Sequence, residues 1–165
     1  MRDLRPVFQR APLRRFTGTV YRICLSPYRN RTVSMRGAFL HGARYNIRQY
    51  FGCLYASLEL ETARLEIERY FTVPPDCGFL QAAIELRLSR VVDLTDPQVL
   101  RKASLRTADL TGPHRACQEI GLRAWESGVE ALLVPSAASP GCKNLAVFLD
   151  NQFPGWSVRL RKVSR

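Results

Sequence analysis

Residues 78–94 (GFLQAAIELRLSRVVDL) carry a clean alternation from Leu80 to Leu88. Leu80, Ala82, Ile84, Leu86 and Leu88 fall on one side; Gln81, Ala83, Glu85 and Arg87 fall on the other. A period of two over that length dictates a long strand with one buried face. Around it, strand and helix signals mix without a regular βαβ rhythm. Thr17–Leu25 (TGTVYRICL) reads as a first strand, with Val20, Arg22 and Cys24 on one face and Tyr21, Ile23 and Leu25 on the other. Ala131–Val134 and Asn144–Leu149 read as short strands, and Trp156–Val163 as an edge strand. Asp96-Pro97 is an N-cap followed by proline at N1, opening a helix to about Ala103. Gly112-Pro113 precedes a helix over about His114–Ser127, with Cys117, Ile120, Ala124 and Trp125 inward and Gly128 at C′. This mixture predicts an α+β fold. The length, 165 residues, fits one domain spanning 17–165, preceded by a basic, extended arm over 1–16 that Pro6 and Pro12 interrupt.

The chemistry concentrates in residues 42–66, which read as loop, short strand and helix. On the strand, Cys53, Tyr55 and Ser57 share one face, while Leu54 and Ala56 share the other. Ser57 suits an N-cap, with Glu59 and Glu61 in the first turn, where the helix dipole favours acidic groups. Leu60, Ala63, Ile67 and Tyr70 or Phe71 form the helix's apolar stripe, and Pro74-Pro75 ends the segment. Glu66 flanks the stripe, three residues from Ala63 and four from Tyr70.

Composition narrows the alternatives. The five cysteines (24, 53, 77, 117, 142) are scattered, odd in number and without CxxC spacing, which points to reduced thiols in a cytoplasm. With two histidines, a histidine-based metal site is not expected. No run of 18 or more apolar residues is present, and no apolar stretch follows the basic N-terminus, so neither a membrane span nor a secretory signal is expected. The net charge of +11 admits three readings: a nucleic-acid surface, a solvated shell met by an acidic protein partner, or attraction of a phosphate-bearing small molecule. Aromatic ribonucleoprotein motifs, zinc-finger spacing and a basic zipper are all missing, which argues against direct nucleic-acid binding.

Single residues stay ambiguous. Arg22 on its strand is an edge charge or an anion ligand in a cleft, and pattern alone favours the edge. Residues 26–46 form a long polar stretch with Arg29, Arg31, Arg36 and Arg44, followed by Arg48; it is either a pyrophosphate-holding loop or a floppy basic one. Ser136 ends a strand after Pro135, where it either caps the loop backbone or binds a ligand. Glu66 alone reads as a solvated helix carboxylate, and Tyr55 as core or platform. His41 and His114 are poorly placed to serve Ser136, so a Ser-His-Asp triad is unsupported.

Together the stretches carry more. Gly42-Ala43-Arg44-Tyr45-Asn46, Leu54-Tyr55-Ala56-Ser57, Glu61–Glu66, and Gly128–Ala137 with its Val134-Pro135-Ser136-Ala137 ending follow one another in the order and spacing of the RES domain family, named for Arg, Glu and Ser. Val20-Tyr21-Arg22 is similar to the family's opening strand, and Asn144 with the apolar strand after it to its ending. The resemblance covers about 15–150. Tyr45 stands where the family commonly has Trp, and a long basic insert, roughly Arg29–Phe39, precedes the motif. What the resemblance implies is an ADP-ribosyltransferase-like fold and a cytoplasmic toxin that degrades NAD without a metal. It also implies silencing by a cognate Xre-type helix-turn-helix antitoxin, through which alone nucleic acid would be contacted. Glu66, Arg44, Tyr55 and Ser136 would then be catalytic, and Arg22, Arg44, Tyr45, Tyr55, Ser136 and Asn144 would bind NAD. Cleavage of the nicotinamide–ribose bond passes through an oxocarbenium-like state that a nearby carboxylate stabilises. Water or phosphate would be the acceptor in a glycohydrolase or phosphorylase, and a protein in an ADP-ribosyltransferase. From another class, the rival reading is a basic nucleic-acid-binding protein with an inactive site.

Overall fold

The protein, seen in a computed structural model, is described over residues 4–26, 31–70 and 78–164. Among these residues are six helices and six strands. The alternating stretch is a 15-residue strand, β3 (Phe79–Asp93), whose even-numbered residues Leu80 to Leu88 are all buried. Each large aliphatic side chain buried there contributes roughly 1.5–3 kcal/mol. β1 (Leu13–Leu25) runs antiparallel to β3 along its whole length, from Leu13↔Val92 to Leu25↔Phe79, with a slip in register between Arg14 and Phe16.

The other pairings close a ring. β2 (Leu54–Ser57) is antiparallel to β5 (Lys143–Val147), and β5 to β4 (Ala131–Pro135). β4 is parallel to β3 through Val91–Asp93, and one pair, Tyr21↔Ser57, returns β2 to β1. β6 (Ser157–Ser164) pairs with β3 outside this ring. Side-chain alternation fills two cores. Leu54, Ala56, Leu145 and Val147 join Val20, Ile84 and Leu86 in one; Cys53, Ala146 and Phe148 join Leu4, Phe8, Phe51 and Ile120 in the other. Glu130, fully buried, ties the ends together: its carboxylate accepts from the backbone N–H of Ser89 (2.6 Å), Arg90 (2.7 Å) and Phe153 (3.1 Å).

Helices cover the sheet where the pattern predicts them. α4 (Pro97–Ala103) begins with the Asp96 side chain accepting from the Gln98 N–H, and α6 (His114–Glu126) is followed by Gly128 at φ 71°. Four expectations need correction. The N-terminal segment is not extended: Arg5–Arg10 form α1, held by buried Leu4 and Phe8, and the first strand starts at Leu13 instead of Thr17. Residues 36–41, expected in a loop, form α2 (Arg36–His41), and the short α5 (Thr107–Thr111) precedes α6. α3 (Leu60–Tyr70) starts three residues after Ser57, which ends β2, 3% exposed, in the ladder with Tyr21 and Asn144, and so does not cap the helix. Finally, Arg22, favoured by pattern as an edge charge, pairs with Ala82 of β3 and lies beside Tyr21, whose pair with Ser57 joins β1 to β2. Phe71, Pro74-Pro75, Cys77 and Arg29 lie outside the described residues.

Candidate active site

The ring is joined between β1 and β2 by a single residue pair, and a cleft opens there. Tyr21, Arg22 and Ile23 of β1 line it, with Tyr55, Ala56 and Ser57 of β2. Its volume is about 380 Å³; α3 adds Ala63, Glu66 and Ile67, the motif loop adds Gly42 to Tyr45, and the far wall carries His114, Val134, Pro135, Ala137 and Asn144. Six expected site residues, Arg22, Arg44, Tyr45, Tyr55, Glu66 and Asn144, thus share one cavity. Ser136 stands just behind its wall, 5% exposed.

Glu66 sits where the helix turns toward the β4–β5 connection. Its Oε1 accepts from Ser136 Oγ at 2.7 Å and from Asn144 Nδ2 at 2.6 Å. Ser136 Oγ in turn accepts the backbone N–H of Ser139 at 2.9 Å and of Ala138 at 3.2 Å, so one hydroxyl both caps the loop and holds the carboxylate. The capping reading of Ser136 is thus seen, and its hydroxyl is turned to the Glu66 carboxylate. Arg69, one turn beyond Glu66, donates to the Ala137 carbonyl and pins the same loop to α3. Asn144 Oδ1 is buried without a partner among the described residues, leaving an acceptor beside the carboxylate.

The two arginines are aimed by carbonyls. Arg22 donates to the Thr32 and Ser34 carbonyls at 3.3 and 3.0 Å, and burial pulls its pKa down from the usual guanidinium value. No described carboxylate forms an ion pair with it. Arg44 donates to the Gly112 carbonyl at 2.7 Å and lies 3.8 Å from Cys117 Sγ. His114, the first residue of α6, was not expected in the cleft; partial burial and the neighbouring Arg44 charge both lower its pKa. Its only sequence signal is its place after Gly112-Pro113 at a helix start.

The phenols are committed to the scaffold. Tyr55 OH accepts the Tyr45 N–H at 2.8 Å and donates to Asn46 Oδ1 at 3.0 Å. Tyr45 is 2% exposed, and its hydroxyl donates to the Leu110 carbonyl at 2.9 Å. Burial raises both phenol pKa values well above normal. Tyr45 is thus part of the cleft floor, with too little exposed surface to act as a stacking face. Asn46, fully buried, completes the arrangement by donating to the Ala38 and Phe51 carbonyls at 2.8 and 3.1 Å.

The RES domain family model matches residues 19–161. The chain belongs to the RES domain family. Its curated relatives include "Probable NAD(+) phosphorylase Rv3189" of Mycobacterium tuberculosis, 29% identical over 145 residues, 84% of this chain and 68% of that protein. Another is "NAD(+) phosphorylase MbcT" of Mycobacterium bovis, 29% identical over 117 residues, 66% of this chain and 63% of that protein. The chain therefore spans about two thirds of the length of these relatives. Among solved structures, the M. tuberculosis MbcT–MbcA toxin–antitoxin complex contains a chain that superimposes with a TM-score of 0.84 at 23% identity, covering 99% of this chain and 92% of that one. At that identity, the likeness speaks for the fold. This RES domain protein has no described helix long and apolar enough to cross a membrane.

Proposed function

We propose that this RES domain protein is a cytoplasmic toxin enzyme that consumes NAD by cleaving the nicotinamide–ribose bond. The observation that carries the reading is the Glu66 carboxylate, gripped on Oε1 by Ser136 and Asn144 in a cleft that also presents Arg22 and Arg44. The names of the relatives, NAD(+) phosphorylases, support the same chemistry. The closed, mixed sheet with a cleft at its weakest join also fits an ADP-ribosyltransferase-like fold.

In this reading the arginines hold the pyrophosphate by charge-assisted hydrogen bonds. The ribose C1′–nitrogen bond breaks, and its electron pair leaves with the pyridinium ring, which departs as neutral nicotinamide. No general acid is needed. Positive charge builds on C1′ and the ring oxygen, and Glu66, oriented before the substrate arrives, stabilises it. An oxygen of phosphate or water then bonds to C1′, and any surplus proton passes to solvent. A cognate antitoxin of helix-turn-helix type would hold this activity in check; the neighbouring fold comes from a toxin–antitoxin complex.

The test is to incubate purified protein with NAD, with and without inorganic phosphate, and to follow nicotinamide release and the ribose product. Release of nicotinamide with formation of a ribose 1-phosphate ester identifies a phosphorylase; free ADP-ribose identifies a hydrolase. No nicotinamide release under either condition overturns the reading.

A further inference from the structure

The cleft residue Arg44 lies on a loop, residues 43–46, whose local pairing is one isolated bridge between Ala43 and Asn46. One face of α6 is built around that loop. Gln118 Nε2 donates to the Ala43 carbonyl at 3.0 Å and also faces the Asn46 carbonyl at 3.3 Å, so one carboxamide spans both ends of the turn. One turn further along the helix, Gly121 meets the middle of the loop so closely that an added Cβ would fall 1.8 Å from the Tyr45 carbonyl oxygen. No side chain fits there without moving the backbone of one element or the other. At the leading end, Gly112 supplies the carbonyl that receives the Arg44 guanidinium, and Cys117 lies against the same group. Residues 117, 118 and 121 share a helical face by the three- and four-residue spacing.

We propose that Gln118 and Gly121 are positioning residues that set the height and tilt of the Arg44–Tyr45 turn in the cleft, and thereby the affinity for the dianionic part of the substrate. The helix–loop clamp stands on geometry alone; its effect on substrate binding rests on the NAD-consuming reading above. The physical reason for a glutamine is specific. Two carbonyl oxygens facing one side chain need a neutral double donor, which Gln supplies. Glu at this position would bring a carboxylate against two acceptors. Met keeps the length and volume but offers no donor. The reason for glycine is equally specific: it lets helix and loop backbones approach to contact distance.

The experiment compares Gln118→Met and Gln118→Glu with Ile120→Val, a control on the core side of the same helix, where Ile120 is 2% exposed. Amide hydrogen exchange is read at Ala43 and Tyr45, whose N–H groups bond Asn46 O and Tyr55 OH. Thermal stability and the KM and kcat for NAD are read on the same samples. Both Gln118 variants are expected to speed exchange at Ala43 and Tyr45 and raise KM by about tenfold, with kcat much less affected, since Arg44 is read as holding a part of the substrate that does not react, so its displacement weakens ground state and transition state alike. Ile120→Val is expected to lower the melting temperature without either change. Gly121→Ala is expected to follow the Gln118 variants if it folds. Unchanged exchange in Gln118→Met overturns the clamp whether or not the wild type consumes NAD. Faster exchange with an unchanged KM overturns its role in substrate binding. Absence of NAD loss in the wild type removes the functional reading and leaves exchange to decide the clamp.

Discussion

Ser136 and Glu66, seventy residues apart in the chain, meet through a 2.7 Å hydrogen bond in which the serine donates to Oε1 and turns its remaining acceptor capacity to the loop backbone. The serine therefore serves the carboxylate, and at 5% exposure it offers little surface to a ligand. Ser136→Ala removes the donor and leaves two backbone N–H groups without their acceptor. Its expected effect is a fall in kcat of about tenfold with KM nearly unchanged, and lower stability, by about 1–3 kcal/mol. Steady-state kinetics and a denaturant titration check it. A rise in KM at constant kcat would mean that the hydroxyl touches substrate directly.

Glu66→Gln keeps the side chain's volume and an oxygen that accepts from Ser136 and Asn144, and deletes only the charge. NAD consumption is expected to fall by about 10²-fold or more, with the melting temperature close to wild type, because a group aimed at developing charge is commonly worth that much. Nicotinamide release measured at saturating NAD decides it; retention of more than about a tenth of the rate contradicts an electrostatic role.

Arg44→Ala and Arg22→Ala are each expected to weaken NAD binding, seen as a raised KM. Arg44→Lys is expected to recover only part of the loss. The guanidinium of Arg44 already gives Nη1 to the Gly112 carbonyl, and a lysine cannot hold that carbonyl and an anion in a planar fork together. Arg22→Ala also frees the Thr32 and Ser34 carbonyls, so its melting temperature is measured alongside. Unchanged kinetics in all three variants would place the pyrophosphate elsewhere.

Glu130→Ala separates stability from chemistry. Three backbone N–H groups and the Ser89 hydroxyl converge on this fully buried carboxylate, far along β4 from the cleft. Leaving them unpartnered is expected to cost about 3–5 kcal/mol, at the upper end for a single substitution. Equilibrium unfolding in urea measures it. A loss below about 1 kcal/mol would mean that water replaces the carboxylate.

How much of this was readable beforehand follows from what each signal rests on. β3 was readable because the alternation from Leu80 to Leu88 leaves no other period, and α4 because Asp96-Pro97 is a local capping signal. α2 and α5 were not, since helices of five or six residues are held by packing and carry little propensity of their own. At α1, Pro6 reads as a breaker in isolation but occupies the first helical turn, where its missing N–H costs nothing; the anchors Leu4 and Phe8 show their partners only in three dimensions. In the site, Arg44 and Glu66 were found through the order of the motifs. That Ser136 and Asn144 both address one carboxylate oxygen was hidden, because the contacts span 70 and 78 residues. The burial of Tyr45 and the use of the Tyr55 hydroxyl inside the scaffold were hidden for the same reason: both depend on α5, α6 and Asn46 packing around the motif loop.

The excess of positive charge gives the last prediction. Arg31, Arg36 and Arg48 are exposed and flank, along the chain, Thr32 and Ser34, whose carbonyls hold Arg22, and Gly42–Tyr45, which line the cleft; we take this segment as the lip a partner would cover. On the proposed reading, an NAD-consuming enzyme must be held off in the cell that makes it, and a partner that covers this lip would exclude NAD sterically. A partner with an acidic surface would also be steered there, because charges of one sign around a cleft raise association rates at low ionic strength. Reversing Arg31 and Arg36 to Glu is therefore expected to slow association of a co-expressed cognate antitoxin and to flatten its salt dependence, while NAD turnover stays near wild type. Stopped-flow association at low and moderate salt, paired with NAD assays of both proteins, makes the comparison. If wild type and variant associate equally fast at every salt concentration, the partner does not dock on this lip, and the charge of +11 serves some other contact.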